Sequence, residues 1–167
     1  MKKIIFFCTV VFFINYSSQA QSRSDRMYDA FSDQDGVTSI SFSKNLVDAM
    51  NINLGDDDTG QKVKGDITQI RFMSYNPKKG SLSGPEFIHK AIGYLPKSSY
   101  KKYDDKGNPH DVSEIWLLGH GRKYRECHLF INNENPEGLQ FVVSFYGDFK
   151  VEDINSLKEA GDKVSKD

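Results

Sequence analysis

His120, Cys127 and His128 fall within nine residues of one another, and zinc is held by imidazole and thiolate groups of this kind. In an extended strand, however, neighbours such as Cys127 and His128 point to opposite faces, so the three do not build a joint site. No C-x-x-C or H-E-x-x-H spacing occurs, and His89 and His110 stand alone. Asp56, Asp58 and Gly60 open like a calcium loop, whose twelfth position must supply a carboxylate. That position is Ile67, so the stretch reads as a solvated loop. Asp104-Asp105-Lys106-Gly107-Asn108 reads as a hairpin turn for the same lack of further ligands. Neither a metal site nor a cofactor is expected.

Nucleophilic chemistry is equally poorly supplied. Cys127 falls in the middle of an apolar strand pattern, whereas reactive thiolates occupy partly exposed, electropositive positions. It reads as a small core hydrophobe. No G-x-S-x-G elbow presents a serine. Gly119-His120-Gly121-Arg122 offers backbone amides and a guanidinium to an anion. Between two strands the same glycines are needed simply to reverse the chain. Tyr100-Lys101-Lys102-Tyr103 and Arg122-Lys123-Tyr124-Arg125 interleave aromatic and basic groups, as a single-strand nucleic-acid surface does. Asp104, Asp105 and Glu126 lie alongside and the total charge is balanced, so nucleic-acid binding is not expected. A protein-facing surface suits tyrosine and arginine better.

The elements that must position these groups follow from periodicity. Residues 23–35 read as a helix on Met27, Ala30 and Phe31, with Gly36 as its stop. Val37–Ser43 alternates Ile40 and Phe42 with serines, a strand. Lys44–Leu54 puts Leu46, Val47, Met50 and Leu54 on one helical stripe. Ile67–Tyr75 is a strand, and Ser83-Gly84-Pro85-Glu86 starts a helix whose stripe is Phe87, Ile88, Ala91, Ile92 and Leu95. Thereafter the period is two: Tyr100–Tyr103, Ile115–Leu118, Tyr124–Ile131 and Leu139–Tyr146, with short connections that favour an antiparallel meander. Val151, Ile154 and Leu157 mark a closing helix. The expected fold is α+β: a single mixed sheet of about five strands ending in an antiparallel meander, with helices packed largely on one face.

The first twenty residues are of another kind. Lys2 and Lys3 precede an uncharged apolar run from Ile4 to Ile14, and Ser18-Gln19-Ala20 places small residues where a signal peptidase reads them. Cleavage is expected between Ala20 and Gln21. The run is too short for a membrane span, which takes about 20 apolar residues. Residues 1–20 are thus a signal peptide, and 21–167 form one domain with a frayed, charged tail over Lys158–Asp167. Cys8 lies inside the apolar run and not at the junction, so no lipid anchor is expected. Loss of the segment leaves Cys127 alone, which excludes an intramolecular disulfide in the exported form. It also removes two lysines, moving the formal charge of the 167-residue chain from -1 to -3. With 13% aromatic residues and so modest a charge, the chain is neither disordered nor a polyelectrolyte.

Met27-Tyr28-Asp29-Ala30-Phe31, the run from Asp35-Gly36-Val37 to Lys44, and Tyr146-Gly147-Asp148-Phe149 before Val151 together resemble a family of small exported Bacteroidetes proteins known only as a domain of unknown function. The resemblance extends over nearly the whole of residues 21–167. It implies an envelope location, periplasmic or secreted, and gene neighbourhoods involving sigma-factor regulation. It supplies no catalytic residue and no activity. Many members look like lipoproteins, and this chain departs from them at the junction. The expected function is that of a non-enzymatic exported module that binds an envelope protein, with no membrane span after cleavage. The alternative is an enzyme or small-ligand-binding protein whose polar site, drawing on some of His120, His128, Arg122 and the acidic loops, assembles only in the fold.

Overall fold

The computed structural model describes residues 24–49, 66–103, 113–154 and 156–158. The expected signal segment with its Ala20–Gln21 junction, the acidic loop at Asp56, the Asp104–Asn108 turn and the charged tail from Glu159 on lie outside the described residues. Helix α1 is Asp25–Phe31, β1 is Val37–Ser43 and α2 is Lys44–Ala49. Strand β2 (Asp66–Tyr75) leads to α3 (Gly84–Gly93). Then follow β3 (Tyr100–Tyr103), β4 (Ser113–His120), β5 (Lys123–Ile131) and β6 (Gln140–Lys150). A 3-10 turn over Val151–Asp153 carries the chain into a short helical end.

All six strands form one sheet in the order β1-β2-β6-β5-β4-β3, and every neighbouring pair is antiparallel. The expected mixed sheet of about five strands is therefore corrected to an antiparallel sheet of six. The reason is topological. After β2 the chain crosses to the far edge through α3, and the meander β3 to β6 walks back until β6 pairs with β2. The helix between β2 and β3 spans the sheet without joining parallel neighbours.

Period-two alternation gives the sheet two apolar faces. Met73, Tyr75, Trp116, Phe130 and Val142 meet Met27, Tyr28 and Phe31 of α1 and Phe87, Ile88 and Ala91 of α3 on one. Ile70, Ile115, Leu117, Cys127, Leu129, Val143 and Phe145 line the other, where Ile154 and Leu157 of the helical end pack against them. Helical segments thus contribute to the clusters of both faces. Cys127 is fully buried, and burial pushes its thiol far above the ordinary value, as befits a core residue.

Local chemistry sets the ends of α3. Ser83 Oγ accepts the Glu86 N–H, and the Glu86 carboxylate accepts the Ser83 N–H at 2.8 Å, a reciprocal cap that also holds the Glu86 carboxyl below its ordinary value. The β4–β5 connection is a two-residue turn in which Gly121 takes φ +66°, as such a turn requires. Gly147 has φ +147°, and a Cβ there would stand 2.0 Å from the Asp66 carbonyl oxygen, so only glycine lets β6 lie this close to β2.

Candidate functional site

Glu126, His128 and Phe130 share one face of β5, and Val142, Ser144 and Tyr146 share the matching face of β6. This puts four polar groups, Glu126, His128, Ser144 and Tyr146, beneath the start of α1. His128 Nδ1 lies 2.7 Å from Ser144 Oγ, and its Nε2 lies 3.1 Å from Glu126 Oε2. The same carboxylate oxygen accepts the Ser24 hydroxyl and the Tyr100 hydroxyl, each at 2.8 Å. Tyr28 donates to Ser144 Oγ at 2.7 Å, and the Ser24 and Tyr146 hydroxyls stand 3.1 Å apart. Arg71 closes the cluster: its guanidinium bonds Asp25 at 2.6 Å and lies 3.8 Å from the centre of the Tyr28 ring.

The proton directions follow from the inventory of donors. A carboxylate only accepts, so His128 Nε2 carries its proton toward Glu126. The Tyr28 hydroxyl faces both Ser144 Oγ and the Arg71 carbonyl oxygen, the latter at 3.2 Å, and Ser144 Oγ pairs with His128 Nδ1. Burial acts to raise the Glu126 carboxyl, but the His128 hydrogen bond and charge, with Ser24 and Tyr100, outweigh it and hold the group at about 2. Burial likewise pushes the Tyr146 phenol up to about 12, and the Tyr28 and Tyr100 phenols higher, so all three stay neutral donors.

A serine, an imidazole and a carboxylate in sequence resemble a nucleophile, its base and an orienting acid. Here His128 and Ser144 are fully buried and Glu126 nearly so, in the middle of a sheet under α1. A nucleophile needs a reacting atom about 3 Å away, and Tyr28 occupies that place on Ser144. The arrangement instead ties α1 to β2 by a bond spanning 46 residues of sequence, and to β5 and β6 by bonds spanning over a hundred.

The sequence candidates separate accordingly. His128 belongs to the buried cluster, whereas His120 and Arg122 lie at the β4–β5 end of the sheet. There, Leu118, Gly119, His120, Lys123, Arg125 and Asp148 line an open groove of about 500 Å³. A neighbouring groove of about 410 Å³ is lined by Arg122, Lys123, Lys150, Glu152 and Asp153. Two irregularities shape this end, one between Leu118 and Gly119 and one between Tyr124 and Glu126. Bulges of this kind re-aim side chains beside functional surfaces. Lys123 and Lys150 stand directly opposite each other across the β5–β6 ladder, a like-charge pair that costs stability. Arg122, Lys123, Arg125 and Lys150 make no ion pair among the described residues. His89 is exposed on α3, far in sequence from either cluster, and His110 lies outside the described residues. Among the described residues no group of three His, Cys, Asp or Glu side chains is placed to hold a metal ion, and no helix is long and apolar enough to cross a membrane.

The sequence pattern presents Glu126 only as an acid beside the basic run at Arg122–Arg125 and does not single out Ser24, Tyr28, Arg71 or Ser144 as site residues. A signal was present: Glu126 and His128 have the parity of buried Phe130. The family model described as a domain of unknown function, DUF4252, matches residues 28–157. No curated protein and no solved structure matches the chain.

Proposed function

The chain belongs to the DUF4252 family of domains of unknown function, and we propose that it works as an exported, non-enzymatic binding module of the cell envelope. The observation that carries this reading is the end of the sheet around Lys123: four cations without ion pairs among the described residues, exposed around open grooves, two of them forced opposite each other. Maintaining like charges face to face makes sense where a partner's carboxylates neutralise them. The buried Glu126–His128–Ser144 chain serves as the internal brace that keeps α1 on the sheet. The partner is an envelope protein bearing an acidic surface.

Export rests on the Lys2-Lys3, apolar and Ser18-Gln19-Ala20 pattern and on the resemblance to small exported Bacteroidetes proteins. Mass spectrometry of the protein recovered from its host is expected to give an N-terminus at Gln21. A chain retaining Met1 would refute export.

Binding is tested by affinity capture from the host envelope fraction with the wild-type protein and with Lys123→Glu combined with Lys150→Glu. The wild type should retain a specific partner that elutes as salt is raised, and the double variant should lose most of it. Both substitutions are at exposed positions and exchange one like-charge pair for another, so the thermal midpoint should hold nearly steady. Equal capture by both proteins, or none by either, counts against the reading.

A further inference from the structure

Among the described residues, strand β1 ends the sheet on one side and pairs only with β2, in an unbroken register from Val37↔Tyr75 to Ser43↔Gln69. The phase of this ladder is fixed by a bond at its start, where the Asn76 N–H donates to the Gly36 carbonyl at 2.8 Å. Backbone groups alternate sides along a strand, so Thr38, Ile40 and Phe42 turn theirs toward β2. Val37, Ser39, Ser41 and Ser43 turn theirs outward. At the centre of that edge, the N–H and C=O groups of Ser39 and Ser41 meet no partner among the described residues.

Exposed edges are normally blunted by shortness, lysine, proline, a bulge or a covering segment. The opposite edge shows two of these devices: β3 has only 4 residues, and Lys101 and Lys102 lie exposed at its middle. Strand β1 has 7 residues without charge or proline, pairs without a bulge, and leaves Ile40 47% exposed. Among the described residues, one edge is protected and the other is left open.

From this asymmetry we infer that β1 pairs with β1 of a second copy of the chain, antiparallel about a two-fold axis through Ile40. An isologous pairing requires a strand complementary to its own reverse, and Ser39-Ile40-Ser41 is its own reverse. Ser39 then exchanges N–H···O=C bonds with Ser41 of the second copy, using the outward-facing groups. On one face Ile40 meets Ile40, flanked on each side by Phe42 against Thr38. No like charges come opposite each other. The nearest charges beyond the strand, Asp35 before it and Lys44 after it, approach with opposite signs at both ends. The six-stranded sheet becomes continuous across the axis. An extended segment of another protein would satisfy the same backbone groups but would not call for a self-complementary strand.

Sedimentation of the purified protein over a concentration series should show a reversible monomer–dimer equilibrium. Ser39→Pro removes an outward N–H that β2 does not use, a replacement edge strands accept. It should weaken the dimer by at least about tenfold, roughly the worth of one or two lost backbone bonds, while the monomer stays folded. Ile40→Cys reads the register separately. With Cys8 replaced by serine and Cys127 buried, mild oxidation should give a covalent dimer, because a non-hydrogen-bonded antiparallel pair places Cα atoms about 4.5 Å apart, within disulfide reach. Thr38→Cys, which faces Phe42, should cross-link poorly. A protein monomeric at every concentration, a folded Ser39→Pro variant that still dimerises as tightly as the wild type, or no Ile40→Cys cross-link overturns the inference. If Ser39→Pro fails to fold, the two cysteine variants decide it.

Discussion

Glu126→Gln is expected to lower stability by about 3 kcal/mol, which for a domain of this size is a fall of roughly 6–12 °C in the thermal midpoint. The substitution keeps the shape and removes the charge. Oε2 is the common acceptor for Ser24, Tyr100 and His128, and a neutral amide accepts these bonds more weakly while adding donors where three already point. The pH dependence carries its own sign. The carboxyl is held at about 2 in the fold against an ordinary 4.5, so between those values the unfolded chain binds more protons and stability rises with pH. The contribution is complete above about 4.5 and is lost as pH falls through 2. At ~1.4 kcal/mol per pKa unit the interval corresponds to about 3–4 kcal/mol. Urea melts of the wild type between pH 2 and 6 should therefore slope more steeply than those of Glu126→Gln. Glu137→Gln, which breaks an exposed contact with Lys78, should change stability by less than about 1 kcal/mol. Parallel slopes for wild type and Glu126→Gln would show that the carboxylate is not held as the geometry requires.

What the sequence discloses follows a physical division between local and distant causes. The cap at Ser83 and Glu86, the stripe of α3 and the period-two strands from Tyr100 onward are local patterns, and each forms where its residues indicate. The strand order is not local. Helical stretches before β2 and β3 suggested crossovers to parallel neighbours, but only the return of β6 to β2 decides the sheet, through pairs such as Phe72↔Val143. Ile40 shows the same limit, since alternation assigns it a face but not a place at the edge. The polar cluster is the extreme case. Ser24 and Glu126 are 102 positions apart, Tyr28 and Ser144 are 116, and no window of sequence contains both members of either pair. The basic turn at Arg122 and Lys123 was visible as composition. Its directly opposed partner Lys150 was not, because that pairing depends on the bulge between Tyr124 and Glu126.

Helix α1 is fastened at both ends, and the second fastening supports an equally large prediction. Its polar N-terminal end is held through Ser24 and Asp25, whereas Phe31 at the other end meets Phe87 of α3 edge-on, with ring centres 5.0 Å apart. Phe87 in turn stacks on Tyr75 of β2 at 4.5 Å, and it is wholly buried. Tyr75 extends the connection, since its hydroxyl donates to the Leu82 carbonyl and accepts the Leu82 N–H just before α3. Phe87→Ala should thus remove a ring shared by α1, α3 and the sheet, at a cost of about 3–5 kcal/mol from lost transfer energy, the cavity and the aromatic contacts. Phe87→Leu, which refills most of the volume, should cost clearly less. Urea melts give both values, and native-state hydrogen exchange locates the effect. Amides near Phe31 should lose protection most in Phe87→Ala, while those near Ser24 should respond most to Glu126→Gln. The two substitutions share no partner, so their costs should add to within about 0.5 kcal/mol. Strong non-additivity would mean that α1 detaches as one cooperative unit when either fastening fails.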